Sequence, residues 1–132
     1  MVSTRTIEQT VTFKASPHVV YEMLMDSAEH ARFTGAPASI SREVGGAFTA
    51  YHGALTGTNI ELVPDAKIVQ SWRAGDWPEG HYSTATFLLE EADGGTRLTF
   101  TQTGVPEQSY DDINQGWRDH YWSKMESSLA SK

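Results

Sequence analysis

From Pro37 to about Thr103, apolar and polar residues alternate with a period of two almost throughout, and from Ser109 the pattern changes to a helical period. This change of period constrains the chain more than any other feature. Consecutive strands joined by short turns imply an antiparallel meander, and the long amphipathic helix after them needs a sheet face to cover it. The pattern predicts strands near residues 38–41, 47–52, 57–63, 67–73, 81–90 and 96–103. Turns are marked by Gly45-Gly46, Gly53, Pro64-Asp65 and Asp93-Gly94-Gly95. Before them, Ile7, Gln9, Val11 and Phe13 alternate with Glu8, Thr10 and Thr12 in a first strand. A short helix follows, with Ser16 as its N-cap, Pro17 at its first position and Val20, Met23 and Leu24 as its apolar face. A second short helix starts at Ser27 and stops before Gly35-Ala36-Pro37. The expected architecture is α+β: a curved antiparallel sheet round a long C-terminal helix, with two short helices after the first strand, as a single domain over residues 1–132.

The C-terminal helix carries the densest aromatic stretch, "GWRDHYWSKM". Ile113, Trp117, Tyr121 and Met125 are spaced four apart and share one face, which Leu129 extends; Asp112, Asp119, Lys124 and Glu126 fall mostly outside it. Trp122 lies about 100° round from Tyr121 and is expected to border the core from the other side. Ser109 and Asp112 match a capping pattern, and Glu107, Asp111 and Asp112 sit where the helix dipole favours negative charge. His120 stands at the edge of the apolar stripe. Its i±4 neighbours are Gly116 and Lys124, neither of them acidic, so a boundary histidine is favoured over a general base.

Taking alternate strand positions as inward, the sheet presents Gln9, Phe13, Phe48, Ile60, Gln70, Trp72, Leu98, Phe100 and Gln102 to the helix. Three inward glutamines are unusual, because a buried amide must find partners. Two readings stay open: the glutamines line a pocket holding water or a polar ligand, or else the strand parity slips at a bulge or they bond to each other and to the helix. In "GDWPEGHYS", turn chemistry alone explains Pro78 and Gly80. A tight hairpin with Trp77 folded onto the sheet edge is favoured over a rim loop that offers Trp77, Glu79 and His81 to a partner.

Several functions are disfavoured by composition. There is no cysteine, which removes disulfides, cysteine nucleophiles and thiolate metal sites, and fits a cytoplasmic location. The net charge of −7, with no basic stripe, opposes nucleic-acid binding, and neither a secretory signal nor a membrane-spanning run is present. His18, His30, His52, His81 and His120 show none of the spacings of a zinc site, and no dinucleotide, P-loop or nucleophile-elbow motif occurs. No catalytic residue, metal or cofactor is assigned.

"GTNIELVPDAKIVQSWRAGDWPEGHYSTATFLL" (residues 57–89), followed by "GWRDHYWSKM", resembles the activator of the ATPase of the 90-kDa heat-shock chaperone, specifically its C-terminal domain. "ELVP", "IVQSWR" and "WPEGH" carry the likeness, with Trp117, Tyr121 and Met125 at that family's helix positions. The resemblance implies the START-like (SRPBCC, birch-pollen-allergen-like) helix-grip fold, often with a cavity between sheet and helix. It further implies a cytoplasmic, cofactor-free, non-enzymatic binding domain, with single-domain relatives typical of bacteria. Two-domain activators also carry an N-terminal domain with an asparagine- and tryptophan-rich motif, which has no counterpart here. The expected partners are a chaperone or a small hydrophobic ligand, not nucleic acid or membrane, with monomer and homodimer both open. Candidate ligand-binding residues are Phe13, Phe48, Gln70, Trp72, Gln102, Trp117 and Tyr121. A cavity enzyme of cyclase or hydrolase type, using His52 or His120, ranks third.

Overall fold

The computed structural model describes residues 3–51 and 53–130. Strand β1 (Thr4–Phe13) is followed by helices α1 (Pro17–Met25) and α2 (Ser27–Thr34). Then come β2 (Ser39–Ile40), β3 (Ala47–Ala50), β4 (Leu55–Val63), β5 (Lys67–Ala74), β6 (Ser83–Ala92) and β7 (Gly95–Pro106). A 3₁₀ turn (Glu107–Ser109) leads into α3 (Tyr110–Trp117), a π-helical turn (Arg118–Trp122) and α4 (Ser123–Ala130), which continue one another as the C-terminal helix.

The seven strands form one antiparallel sheet in the order β1-β7-β6-β5-β4-β3-β2. Every neighbour follows in sequence except β1, which pairs with β7, so α1 and α2 carry the chain from one edge of the sheet to the other. Both short helices start as the sequence predicts. The Ser16 hydroxyl accepts from the Val19 N–H at 3.3 Å with Pro17 in the first turn, and Asp26 caps α2 by accepting from the Glu29 N–H at 3.0 Å. Gly35 ends α2 in a left-handed conformation, φ 77°.

Four expectations change. β4 bulges between Asn59 and Glu61, which reverses the alternation, so Ile60 points outward at 51% exposure and Asn59 is buried instead. Asn59 then brackets the β2–β3 loop, donating to the carbonyls of Ser41 and Glu43 at 2.7 and 3.0 Å. β6 begins at Ser83 rather than residue 81, because the His81 N–H closes a turn onto the Pro78 carbonyl and its ring bonds the Gly104 carbonyl. Ser109 makes no side-chain cap; it belongs to the 3₁₀ turn, where its backbone is already helical. Lastly, Trp122 is 3% exposed, in the core rather than on its border.

The π-turn explains Trp122. In a regular helix, residues five apart lie roughly 140° from each other. Here the Ser123 N–H reaches back to the Arg118 carbonyl, five residues away, and the wider turn brings Trp117 and Trp122 onto one face. Their rings stack at 5.5 Å and 21°. Together with Tyr121 and Met125 they pack against Phe13, Ile68, Phe87, Leu98 and Phe100 of the sheet. One glycine is required for this closure: a Cβ at Gly57 would lie 1.8 Å from the Ser71 carbonyl oxygen and 2.5 Å from the Phe48 ring.

Candidate functional site

The three inward glutamines are spent on the fold. The Gln9 amide donates to the Asn114 carbonyl and side-chain oxygens at 2.8 and 2.9 Å, while its oxygen accepts from the Trp122 indole at 2.6 Å. The Gln102 oxygen accepts from the Trp117 indole at 2.7 Å, and its amide donates to the Ser83 hydroxyl at 2.8 Å. Gln70 donates to the Asn59 side-chain oxygen at 3.0 Å. Of the two readings left open, bonding to the helix describes Gln9 and Gln102, while no hydrogen bond among the described residues joins one glutamine to another. Each of the two helix indoles in the core, Trp117 and Trp122, is met by a sheet glutamine, whereas the buried Trp77 Nε1 has no partner among the described residues.

Where the helix pulls away from β3–β5, the seam opens. A cavity of about 200 Å³ communicates with solvent, with Tyr51, Leu55 and Trp72 on the sheet side and Asp112, Ile113, Gly116, Trp117, His120 and Tyr121 on the helix. A second space, of about 20 Å³, lies deeper among Leu24, His30, Ile40, Phe48, Ile68, Gln70 and Phe87 and shares Trp72, Trp117 and Tyr121 with the first. Five of the seven candidate residues thus meet around these cavities: Phe48, Gln70, Trp72, Trp117 and Tyr121. The other two line neither. Phe13 packs edge-on to Trp122 at 6.3 Å, and Gln102 is committed to Trp117 and Ser83.

Two residues not singled out from the sequence shape the site. Tyr51 follows β3 in a left-handed conformation (φ 50°) that an L side chain adopts only under constraint. Its hydroxyl donates to the His120 carbonyl at 2.7 Å, inside the π-turn, and burial pushes its pKa up to about 12. His30 of α2 is 3% exposed and shares a 2.9 Å hydrogen bond between its Nε2 and the Tyr121 hydroxyl. Burial lowers its pKa to about 4 and raises that of Tyr121, so the pair is neutral at pH 7. Its Nδ1 has no partner among the described residues. No spacing could have announced either contact, since Tyr51 and His30 reach across 69 and 91 residues.

The exposed ring of His120 lies edge-on to Tyr51 at 5.7 Å, and among the described residues no carboxylate hydrogen-bonds it. His52, the alternative, lies outside the described residues. Among the described residues no group of three or more His, Asp or Glu side chains could hold a metal ion, and no helix is long and apolar enough to cross a membrane. The 75–83 loop is a hairpin connection. Arg73 donates to the Trp77 and Pro78 carbonyls at 2.7 and 3.2 Å, and Trp77 folds edge-on against Trp72 at 5.4 Å.

An antiparallel sheet curled round a C-terminal helix, with an apolar cavity at their seam, defines a helix-grip domain. The chain belongs to the family described as Activator of Hsp90 ATPase homolog 1-like protein, whose model matches residues 14–130. It is 32% identical over 119 residues to human Activator of 90 kDa heat shock protein ATPase homolog 1, an alignment covering 90% of this chain and 35% of that protein. The chain therefore spans about a third of the length of the curated relatives it matches. The crystal structure of an HSP90 activator from Plasmodium falciparum superimposes with a TM-score of 0.90 at 25% identity, covering 95% of this chain and 96% of that one. The solution structure of the Aha1 dimer from Colwellia psychrerythraea does so with a TM-score of 0.81 at 22% identity, covering 95% and 96%.

Proposed function

We propose that this domain is a non-enzymatic binding module of co-chaperone type that contacts the 90-kDa heat-shock chaperone in the cytoplasm. The observation that carries the reading is the match over nine-tenths of the chain to a human protein named as an activator of that chaperone's ATPase. Adding the domain to the chaperone shifts the amide signals of one surface patch or changes ATP turnover. No shift and no change of rate at high concentration would overturn the reading.

A second reading has its own support: the domain holds a small hydrophobic ligand at the seam, as a carrier or sensor. The cavity of about 200 Å³, walled largely by aromatic side chains, supports it, being somewhat smaller than the roughly 300–1,000 Å³ typical of drug-sized ligands. Trp72, Trp117 and Tyr121 are its contact residues among the candidates, while Phe48 and Gln70 line only the deeper space of about 20 Å³ beside it. Native mass spectrometry of the purified protein reads a bound molecule and the choice between monomer and homodimer together. An empty cavity and no quenching of tryptophan emission by any apolar compound would end this reading.

A further inference from the structure

The seam cavity is more specific in chemistry than an apolar hole. Asp112, Gly116 and His120 stand at i, i+4 and i+8 of the helix, so they form one row along its exposed flank. Gly116, in the middle, keeps that row hollow: a Cβ there would meet only the His120 ring, at 3.7 Å. Glycine in a helix interior is destabilising by about 1 kcal/mol relative to alanine, so the residue that opens the floor is one that helix formation disfavours. Facing the row, the rings turn their planes against one another. Tyr51 lies at 68° to Tyr121 with centroids 6.0 Å apart, Tyr121 at 44° to Trp117 at 4.7 Å, and Trp117 at 40° to Trp72 at 5.5 Å. Among the described residues the lining holds one carboxylate, Asp112, and neither lysine nor arginine. Asp112 is exposed at the mouth and takes part in no ion pair with any other described residue.

A cavity lined by four aromatic rings with one carboxylate at its rim matches the demands of a large, weakly hydrated cation: ring quadrupoles within reach of its alkyl groups and a negative charge at the entrance. The net charge of −7 draws such a ligand in and disfavours anions. We propose that the cavity binds a small apolar compound bearing a quaternary or alkylated ammonium group, seated between Tyr51, Trp72 and Trp117 with its charge toward Asp112. This rests on the second reading above, that the seam takes a small ligand, and adds the ligand's class.

The test is a matched pair, 3-hydroxyphenyltrimethylammonium and 3-tert-butylphenol, which have the same shape and differ in charge. Each is titrated into the whole chain while tryptophan emission and the indole N–H signals are followed. The cation binds about tenfold tighter than its neutral isostere. Asp112→Asn shrinks that ratio several-fold, and Gly116→Leu, which fills the floor, abolishes binding of both while the circular dichroism of the fold is kept. Equal or tighter binding of the neutral compound overturns the ammonium assignment and leaves the ligand cavity standing. If neither compound binds at millimolar concentration, both readings fall. Undiminished binding to Gly116→Leu places the cation elsewhere and overturns the proposal.

Discussion

The two flanks of the C-terminal helix are built on opposite terms. On the inner flank Trp117 and Trp122 stack on each other, and each indole N–H is answered by a sheet glutamine at 2.7 and 2.6 Å. On the outer flank, glycine at position 116, about 100° round the helix from Trp117, stands where a side chain would fill space, and Tyr51 bridges the gap from a strained backbone. The inner flank is closed by hydrogen bonds that fix where each ring sits. The outer flank is held apart by residues that local preference disfavours. The strained Tyr51 backbone and the larger cavity thus lie on the same flank, away from the two indole–glutamine bonds.

Substitutions on the two flanks should separate them. Trp117→Ala removes the ring at the centre of the inner flank and should destabilise the domain by about 3–5 kcal/mol in urea unfolding. Leu55→Ala, at the partly exposed wall of the seam, should cost less than about 1 kcal/mol. Equal losses would erase the distinction.

The next largest effect is a pH dependence. The fold holds His30 neutral, with a pKa near 4 against about 6.5 when unfolded, so the unfolded chain binds the extra proton between those values. Its contribution is complete above pH 6.5 and is lost as the pH falls toward 4, a change on the order of 3 kcal/mol. Unfolding midpoints across that range should fall more steeply for the wild type than for His30→Gln; parallel curves would mean that His30 is not desolvated in solution.

Gln102→Leu leaves the Trp117 indole N–H without its acceptor, while the Ser83 hydroxyl keeps its bond to the Trp72 carbonyl, and should cost about 1–3 kcal/mol, although leucine is of similar size. Tyr51→Phe removes one hydroxyl bond on the outer flank and should cost about 0.5–1.5 kcal/mol. If it proved as harmful as Gln102→Leu, the seam would be structural and not merely bridged.

Much of this architecture could be read from the residues, and the parts that could not share a cause. The switch of period near Ser109, the Ser16-Pro17 helix start and the Asp93-Gly94-Gly95 hairpin are local signals, and each element appears where they place it. Two of the exceptions are single-residue insertions into a period. The β4 bulge turns Ile60 out and Asn59 in, and the π-turn swings Trp122 into the core; neither leaves a mark in composition or spacing. Of the seam, Trp72, Trp117 and Tyr121 follow from face and parity. Tyr51 and His30 do not, because they are brought to the helix by chain crossings that only the assembled sheet defines.

The four tryptophan indoles offer the most direct test, because Trp72 and Trp122 sit on opposite sides of the comparison. In a titration with 3-tert-butylphenol followed by indole ¹H–¹⁵N signals, assigned by single substitutions, the signal of Trp72 should move, and that of Trp122, locked on Gln9, should stay nearly fixed. Movement of Trp122 as large as that of Trp72, or no movement in either, would contradict a helix closed on one flank and open on the other.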